Sequence, residues 1–259
     1  MRDQGALSGR SVATSLLSVL VAAACAGAPA GSEKSKPPPL PRGTTPSAVA
    51  PTQPPSTADP IRTHFAGRIS TIPQAVAAEM RGTTWKPGCP VPISDLRLLR
   101  FNYVGFDGEI KRGPMVVNAT VAQDVLSVFQ QLFEARFPLK RVALATEYKP
   151  KHDDPSQHRS VTASFNCRPA ITTSGPTQTL SQHSYGLAVD VNPLQNPEVS
   201  LDGRVRDKAA RIYRDRTLNL PGMIHAGDIA VRAFAAIGWR WGGDWSSMKD
   251  YMHFSETGT

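Results

Sequence analysis

The chain has 259 residues, room for one or two domains, and its 40% hydrophobic and 19% charged content excludes both a wholly disordered polar chain and a multispan membrane protein. Five basic and three acidic residues fall in the first 60, so the overall charge of +8 becomes 24 Lys+Arg against 18 Asp+Glu, or +6, for residues 61–259. That mild excess suits an anionic polymer such as a cell wall, but no Lys/Arg run has the density that nucleic-acid binding demands.

In chain order, the first element is an export signal. Arg2 and Arg10 precede an apolar stretch, Ser11 to Ala24, closed by small residues before Cys25. About 14 apolar-biased residues are too few to span a bilayer, which takes ~20. Small residues directly before a cysteine resemble a lipobox, with Cys25 acylated as the mature N-terminus, although Ala22 stands where Leu is usual. Simple secretion with an incidental Cys25 is the alternative. Residues 1–25 are thus a signal peptide, and residues 26–60, with ten of the 23 prolines and no aromatic residue, form a disordered linker. In an oxidising compartment the remaining pair, Cys89 and Cys167, reads as a disulfide, with two buried thiols as the alternative.

Residues 61–259 read as one folded domain. Leu99 to Tyr103 alternates, and a turn at Phe106-Asp107-Gly108 joins it to Met115-Val116-Val117, which predicts a hairpin. Val121, Val125, Val128, Phe129 and Leu132 follow helical spacing, with Thr120 and Gln123 as a capping box and Pro138 beyond the end. Arg141 to Glu147 and Gly186 to Val191 read as short strands. Asp228 to Ile237 reads as a second helix, N-capped by Asp228 and stopped by Gly238, before a Trp/Gly-rich tail of strand and loop from Trp239 to Phe254. This order predicts an α+β fold, a compact domain with a mainly antiparallel sheet and packed helices. No Gly-rich phosphate loop follows a strand.

Two of the six histidines stand among carboxylates. His183 precedes Asp190 by seven residues, with Asp190 on an apolar strand where an isolated carboxylate is costly and needs a partner. His253 follows Asp250 by three. Two imidazoles and one carboxylate would leave an open position on zinc, and Asp250 could then take a proton from water. Spacing alone leaves the alternative open, in which His183 caps a loop and His253 is a hydrogen-bonded core residue. His64, His152, His158 and His225 read as solvated or structural, Asp153 and Asp154 as a solvated loop, and Trp239, Trp241 and Trp245 as core or pocket wall.

Taken together, the pattern Ser181-x-His183-x-x-Gly186-x-Ala188-x-Asp190, then Gly238-Trp239-x-Trp241-Gly242-Gly243-x-Trp245 and Asp250-x-x-His253-Phe254, resembles the VanY-type zinc D-alanyl-D-alanine carboxypeptidases of bacterial cell walls. Ser164 to Arg168, Asp190-Val191-Asn192-Pro193 with Asn196-Pro197, and Pro221 to Ile224 look like that family too, so the resemblance covers about residues 95 to 256. It implies His183, Asp190 and His253 as zinc ligands and Asp250 as catalytic base. It implies Arg168 as a group facing either the scissile carbonyl or a substrate carboxylate. Ser181 would bind substrate or cap its loop. The expected partner is a peptidoglycan stem peptide, met by a monomer outside the cell membrane, tethered through Cys25 or secreted. A non-catalytic wall-binding lipoprotein with the same fold is the rival, and an L-alanyl-D-glutamate endopeptidase would use the same site.

Overall fold

The computed structural model describes residues 64–148, 160–172 and 175–259. The readings placed on residues 1–60, including Cys25, and on His152, Asp153, Asp154 and His158 lie outside the described residues.

Three antiparallel strands, β1 (Gly67–Thr71), β2 (Leu96–Val104) and β3 (Ile110–Asn118), form the largest sheet in that spatial order. The expected hairpin is β2–β3, in register from Leu96↔Asn118 to Val104↔Ile110. Successive side chains leave a strand on opposite faces, and here each face has its own core. Leu99, Phe101, Tyr103, Met115 and Val117 meet the main helix, whereas Leu96, Leu98 and Val116 turn the other way toward Met80, Phe165 and Cys167.

A short helix α1 (Gln74–Met80) supplies Met80 to the second core. The main helix is α2 (Ala122–Glu134), whose Val125, Val128, Phe129 and Leu132 are buried against the sheet, with Phe129 stacked on Phe101 at 4.4 Å between centroids. Its start differs from the expected capping box. A 3-10 turn at Ala119–Val121 comes first, and the cap is Asn118, which accepts from the Thr120 amide, while nothing caps Val121 through a side chain. Asn118 ends β3, so the residue that closes the strand also opens the helix.

The Arg141 to Glu147 run is the second correction. Only β4 (Arg141–Val142) is strand, in parallel pairing with β5 (Val161–Thr162), and Ala145–Tyr148 is a 3-10 turn. The run is apolar because Ala143, Leu144 and Ala145 are buried, not because it is extended throughout. A hairpin follows, β6 (Pro169–Thr172) with β7 (Gly175–Leu180).

The strand expected over Gly186 to Val191 is confined to β8 (Ala188–Asp190). Helix α3 (Ile229–Ala236) lies where expected, with Asp228 at its N-cap and left-handed Gly238 beyond it. The tail gives β10 (Arg240–Trp241), β11 (Lys249–Asp250) and β12 (His253–Ser255). Strands β10, β12 and β8 make a second antiparallel sheet, and β11 pairs with β9 (Glu198–Val199). Phe234 of α3 stacks on Phe254 at 4.1 Å, joining this sheet to the main core. The fold is α+β, and all its pairings except β4–β5 are antiparallel among the described strands.

Candidate metal centre and its cleft

His183 sits in a 3-10 turn, Gln182–Tyr185, that both ends specify. Ser181 caps it by accepting from the His183 amide at 3.3 Å, and Gly186 leaves it with φ of 69°. A Cβ on Gly186 would come within 2.6 Å of the Asn118 amide nitrogen, so this position demands glycine for space as well as for conformation. The Asn118 amide donates to the Gly186 carbonyl at 3.0 Å and its side chain to the Tyr185 carbonyl at 3.0 Å. The turn is thereby docked on the end of β3.

Asp190 ends β8 and His253 begins β12, directly opposite it in the ladder. Cross-strand partners stand ~5 Å apart at Cβ, which brings together residues separated by 63 positions. His183 Nε2 lies 3.2 Å and His253 Nδ1 3.3 Å from Asp190 Oδ1, and the three donor atoms fall within 4.8 Å of one another. Both imidazoles are buried, 3% and 5% exposed.

The outward nitrogen of His183 fixes its proton. His183 Nδ1 is 2.7 Å from the Ser164 carbonyl and His253 Nε2 is 3.3 Å from the Thr259 oxygen, acceptors both. His183 Nδ1 therefore carries hydrogen in the neutral ring, and its Nε2 lone pair faces a carboxylate oxygen, whereas His253 has an acceptor 3.3 Å from each ring nitrogen and turns Nδ1 to the same carboxylate. His183 Nε2 has no hydrogen-bond partner despite its depth. A lone pair facing an anion is repelled unless a cation lies between them. A tetrahedral ion with ligands ~2.0–2.1 Å away separates its ligand atoms by roughly 3.3 Å, close to both measured contacts. The donor set suits zinc. In the metal-free chain burial raises the Asp190 carboxyl, but protonation of His183 and His253 would bring charge and hydrogen bonds that outweigh burial and hold the group well below the usual carboxylate range.

Asp250, on β11, stands opposite Glu198 of β9. Its Oδ1 is buried with no hydrogen-bond partner. Burial, aided by Asp190 and Glu198 and opposed by His253 and Arg168, pushes its carboxyl up to about 7. Burial likewise raises Glu198 against the pull of Arg206 and Arg168.

These groups share a cleft of about 450 Å³. The β6–β7 hairpin gives it a wall that includes Ile171 and Leu180, and Trp245 lies against the His253 ring, 5.4 Å between centroids. Arg168 lines the cleft at the root of the hairpin, its guanidinium donating to the neighbouring Pro169 carbonyl at 3.3 Å and its amide to Ser184 Oγ. Ser181 lines it too while serving as the cap. Cys89 and Cys167 are joined in a disulfide, beside Arg168. Of the other histidines, His225 is structural, bonded to Asp228 and the Leu218 carbonyl. Trp239 and Trp241 are buried in the main core.

Sequence reasoning overlooked Glu198 and Arg206 in the cleft, and the scaffold behind Asp190. Asn192 bonds the Lys140 amide and the Pro138 and Gly222 carbonyls, Asn196 bonds Gly222 and Ile224, and Arg216 donates to Gln195, Asn196 and Tyr213 while lying 4.4 Å over the Tyr251 ring. The two asparagines were visible as parts of motifs. Their role as stitches between distant loops was not, because hydrogen-bond partners have no sequence spacing.

Residues 174–256 match the model of the family described as D-alanyl-D-alanine carboxypeptidase. The match runs from β7 to β12 and takes in His183, Asp190, Asp250 and His253, but stops short of Arg168, so it is narrower than the resemblance drawn from motifs. No curated protein and no solved structure matches the chain significantly. Over residues 174–256, which hold the whole candidate metal cluster, the chain is thus similar to the D-alanyl-D-alanine carboxypeptidase family.

Proposed function

We propose that this chain is a zinc-dependent peptidase of the peptidoglycan stem peptide and that its bond is the terminal D-alanyl-D-alanine linkage. What carries the reading is the convergence of two imidazole nitrogens and one carboxylate oxygen at the floor of an open cleft. His183, Asp190 and His253 would hold the ion as three protein ligands, the number that leaves a position for water or substrate. Zinc bound there supplies Lewis-acid polarisation of the scissile carbonyl and brings the ionisation of water near neutrality.

The remaining steps belong to the chain's own side chains. Asp250, a buried carboxyl with its pKa pushed toward neutrality, accepts the proton of the attacking water and returns it to the departing amine. Arg168 receives the substrate's terminal carboxylate, because a guanidinium binds a carboxylate with two parallel hydrogen bonds and this one lines the cleft without an ion pair among the described residues, Glu198 and Asp250 acting on it only from further off. Ile171 and Leu180 offer an apolar wall to alanine methyl groups. Ser181 Oγ accepts from the His183 amide, which leaves its hydroxyl proton for substrate.

The same reading makes residues 61–259 the peptidase domain of a monomer working outside the membrane. Residues 1–25 would export it, Cys25 would carry lipid, and 26–60 would be the spacer. The family's cell-wall substrate supports export.

Hydrolysis of a D-alanyl-D-alanine-terminated peptide, followed by mass spectrometry, tests the reaction. Wild type should release D-alanine, stop on chelation and resume with zinc. Amidating the peptide's C-terminus should raise KM for wild type and add little in Arg168→Lys. Release from an internal bond alone would overturn the assignment of the bond, and an unchanged KM on amidation would overturn the role of Arg168.

A further inference from the structure

A second groove, of about 470 Å³, lies on the three-stranded sheet and shares no residue with the metal cleft. Strand register composes it. Arg68 of β1 is directly opposite Arg100 of β2, whose partner on β3 is Pro114, and in the next row Arg112 of β3 is opposite Asn102. All three arginines are exposed, and all lie on the face of β2 that elsewhere carries Leu98 and Val116 into the second core. That core stops short of them.

Among the described residues no carboxylate pairs with Arg68, Arg100 or Arg112, and none of the three side chains makes a hydrogen bond. Elsewhere on the described strands and loops, Lys111 pairs with Asp107, Arg141 with Glu147 and Arg204 with Asp202. Like charges directly opposite on adjacent strands destabilise a sheet. Three uncompensated guanidiniums therefore form a positive strip that an anion running across the strands would neutralise.

We infer that this strip is a binding site for a linear polyanion carrying phosphodiester charges, which would hold the domain on its polymeric surroundings independently of catalysis. Several features favour this occupant. Direct cross-strand neighbours lie ~5 Å apart and diagonal ones ~7–8 Å, so the strip meets successive charges of an extended chain, where a single small anion would reach one or two. Guanidinium forks match phosphate oxygens in pairs. The site is a concave groove, and none of the exposed large hydrophobic residues, Ile171, Leu201, Ile212 and Leu220, lines it. A surface that docks on lipid is instead expected to add apolar groups to its cations.

The test uses the full-length chain with Cys25→Ser, so that no acyl anchor can itself hold vesicles, and three probes: poly(glycerol phosphate), polygalacturonate, and vesicles containing phosphatidylglycerol. This parent chain should bind poly(glycerol phosphate) with an affinity that falls steeply as salt rises, as release of condensed counterions requires. Arg68→Gln/Arg100→Gln/Arg112→Gln should bind at least 10-fold more weakly and with a shallower salt dependence. Its hydrolysis of a short soluble peptide should be unchanged, which also shows that it is folded. Reversing the charge at one position, Arg100→Glu, should weaken binding with less disturbance of the sheet. Equal binding by the parent chain and the triple variant would overturn the site. Binding to polygalacturonate as tight as to poly(glycerol phosphate), or to vesicles in preference to both, would overturn the choice of occupant.

Discussion

As the proposed base, Asp250 would meet two opposed demands, since it would have to ionise to take a proton and yet is buried beside Asp190 and Glu198, which are also acids. Its raised pKa makes the fold pay for the base's ionisation, and that cost has a direction. In metal-free protein the unfolded carboxyl releases its proton near 3.8, whereas the folded one keeps it to about 7. Between those values the folded state binds more protons, so the stability due to this group falls as pH rises through the window and is constant above it. Asp250→Asn should therefore gain stability relative to wild type in urea melts as pH goes from 4.5 to 8, while kcat drops ~10²–10⁴, the scale of a lost general base. A stability difference that does not change with pH would contradict the assigned environment. At this scale the cluster of His183, Asp190 and His253 was legible through the resemblance of their motifs to a peptidase family, since spacing alone left a loop cap and a core histidine as the alternative. Glu198 was not, since its place beside Asp250 depends on a two-residue ladder between β9 and β11.

The elements position the site through a few tight junctions. The 3-10 turn carrying His183 rests on β3 at Gly186, and no other residue satisfies both its φ of 69° and its 2.6 Å clearance. Gly186→Ala should destabilise by about 3 kcal/mol, the sum of a left-handed backbone penalty and local overpacking. Because the strain falls on the turn, it should also weaken metal binding; calorimetry of melting and of zinc titration would show both, and an unchanged zinc affinity would mean that the turn does not set the ligand. Periodicity found α2, α3 and the β2–β3 hairpin, where many residues share one pattern. It failed over Arg141 to Glu147, where burial of Ala143 and Ala145 produces an apolar run without an extended backbone. It also misplaced the cap of α2, because Asn118 and Thr120 are both good capping residues and only the turn between them decides which is used.

On the scale of the molecule, one sheet separates two cores, and the cleft with the candidate metal cluster opens where the second sheet and the β6–β7 hairpin meet. The disulfide ties the second core to the chain just before Arg168. It closes a loop with a separation of 78 residues, worth about 4 kcal/mol of unfolded-state entropy. Reduction, or Cys89→Ser with Cys167→Ser, should lower stability by about that much and raise KM more than it lowers kcat, since it loosens Arg168 and leaves the ligands on their own strands. A melting temperature indifferent to reductant would contradict this. The pairing was legible from cysteine count, whereas the division into two cores was not, because it requires knowing which strands are neighbours. The claim on which the rest depends is that His183, Asp190 and His253 form one metal site. Equilibrium dialysis against zinc, with the bound metal counted by mass spectrometry, tests it most directly. One zinc per chain should be retained by wild type and by Asp250→Asn, and most of it should be lost in His183→Ala, Asp190→Ala and His253→Ala. Wild type that retains none, or an Asp190→Ala variant that retains as much as wild type, would contradict the account.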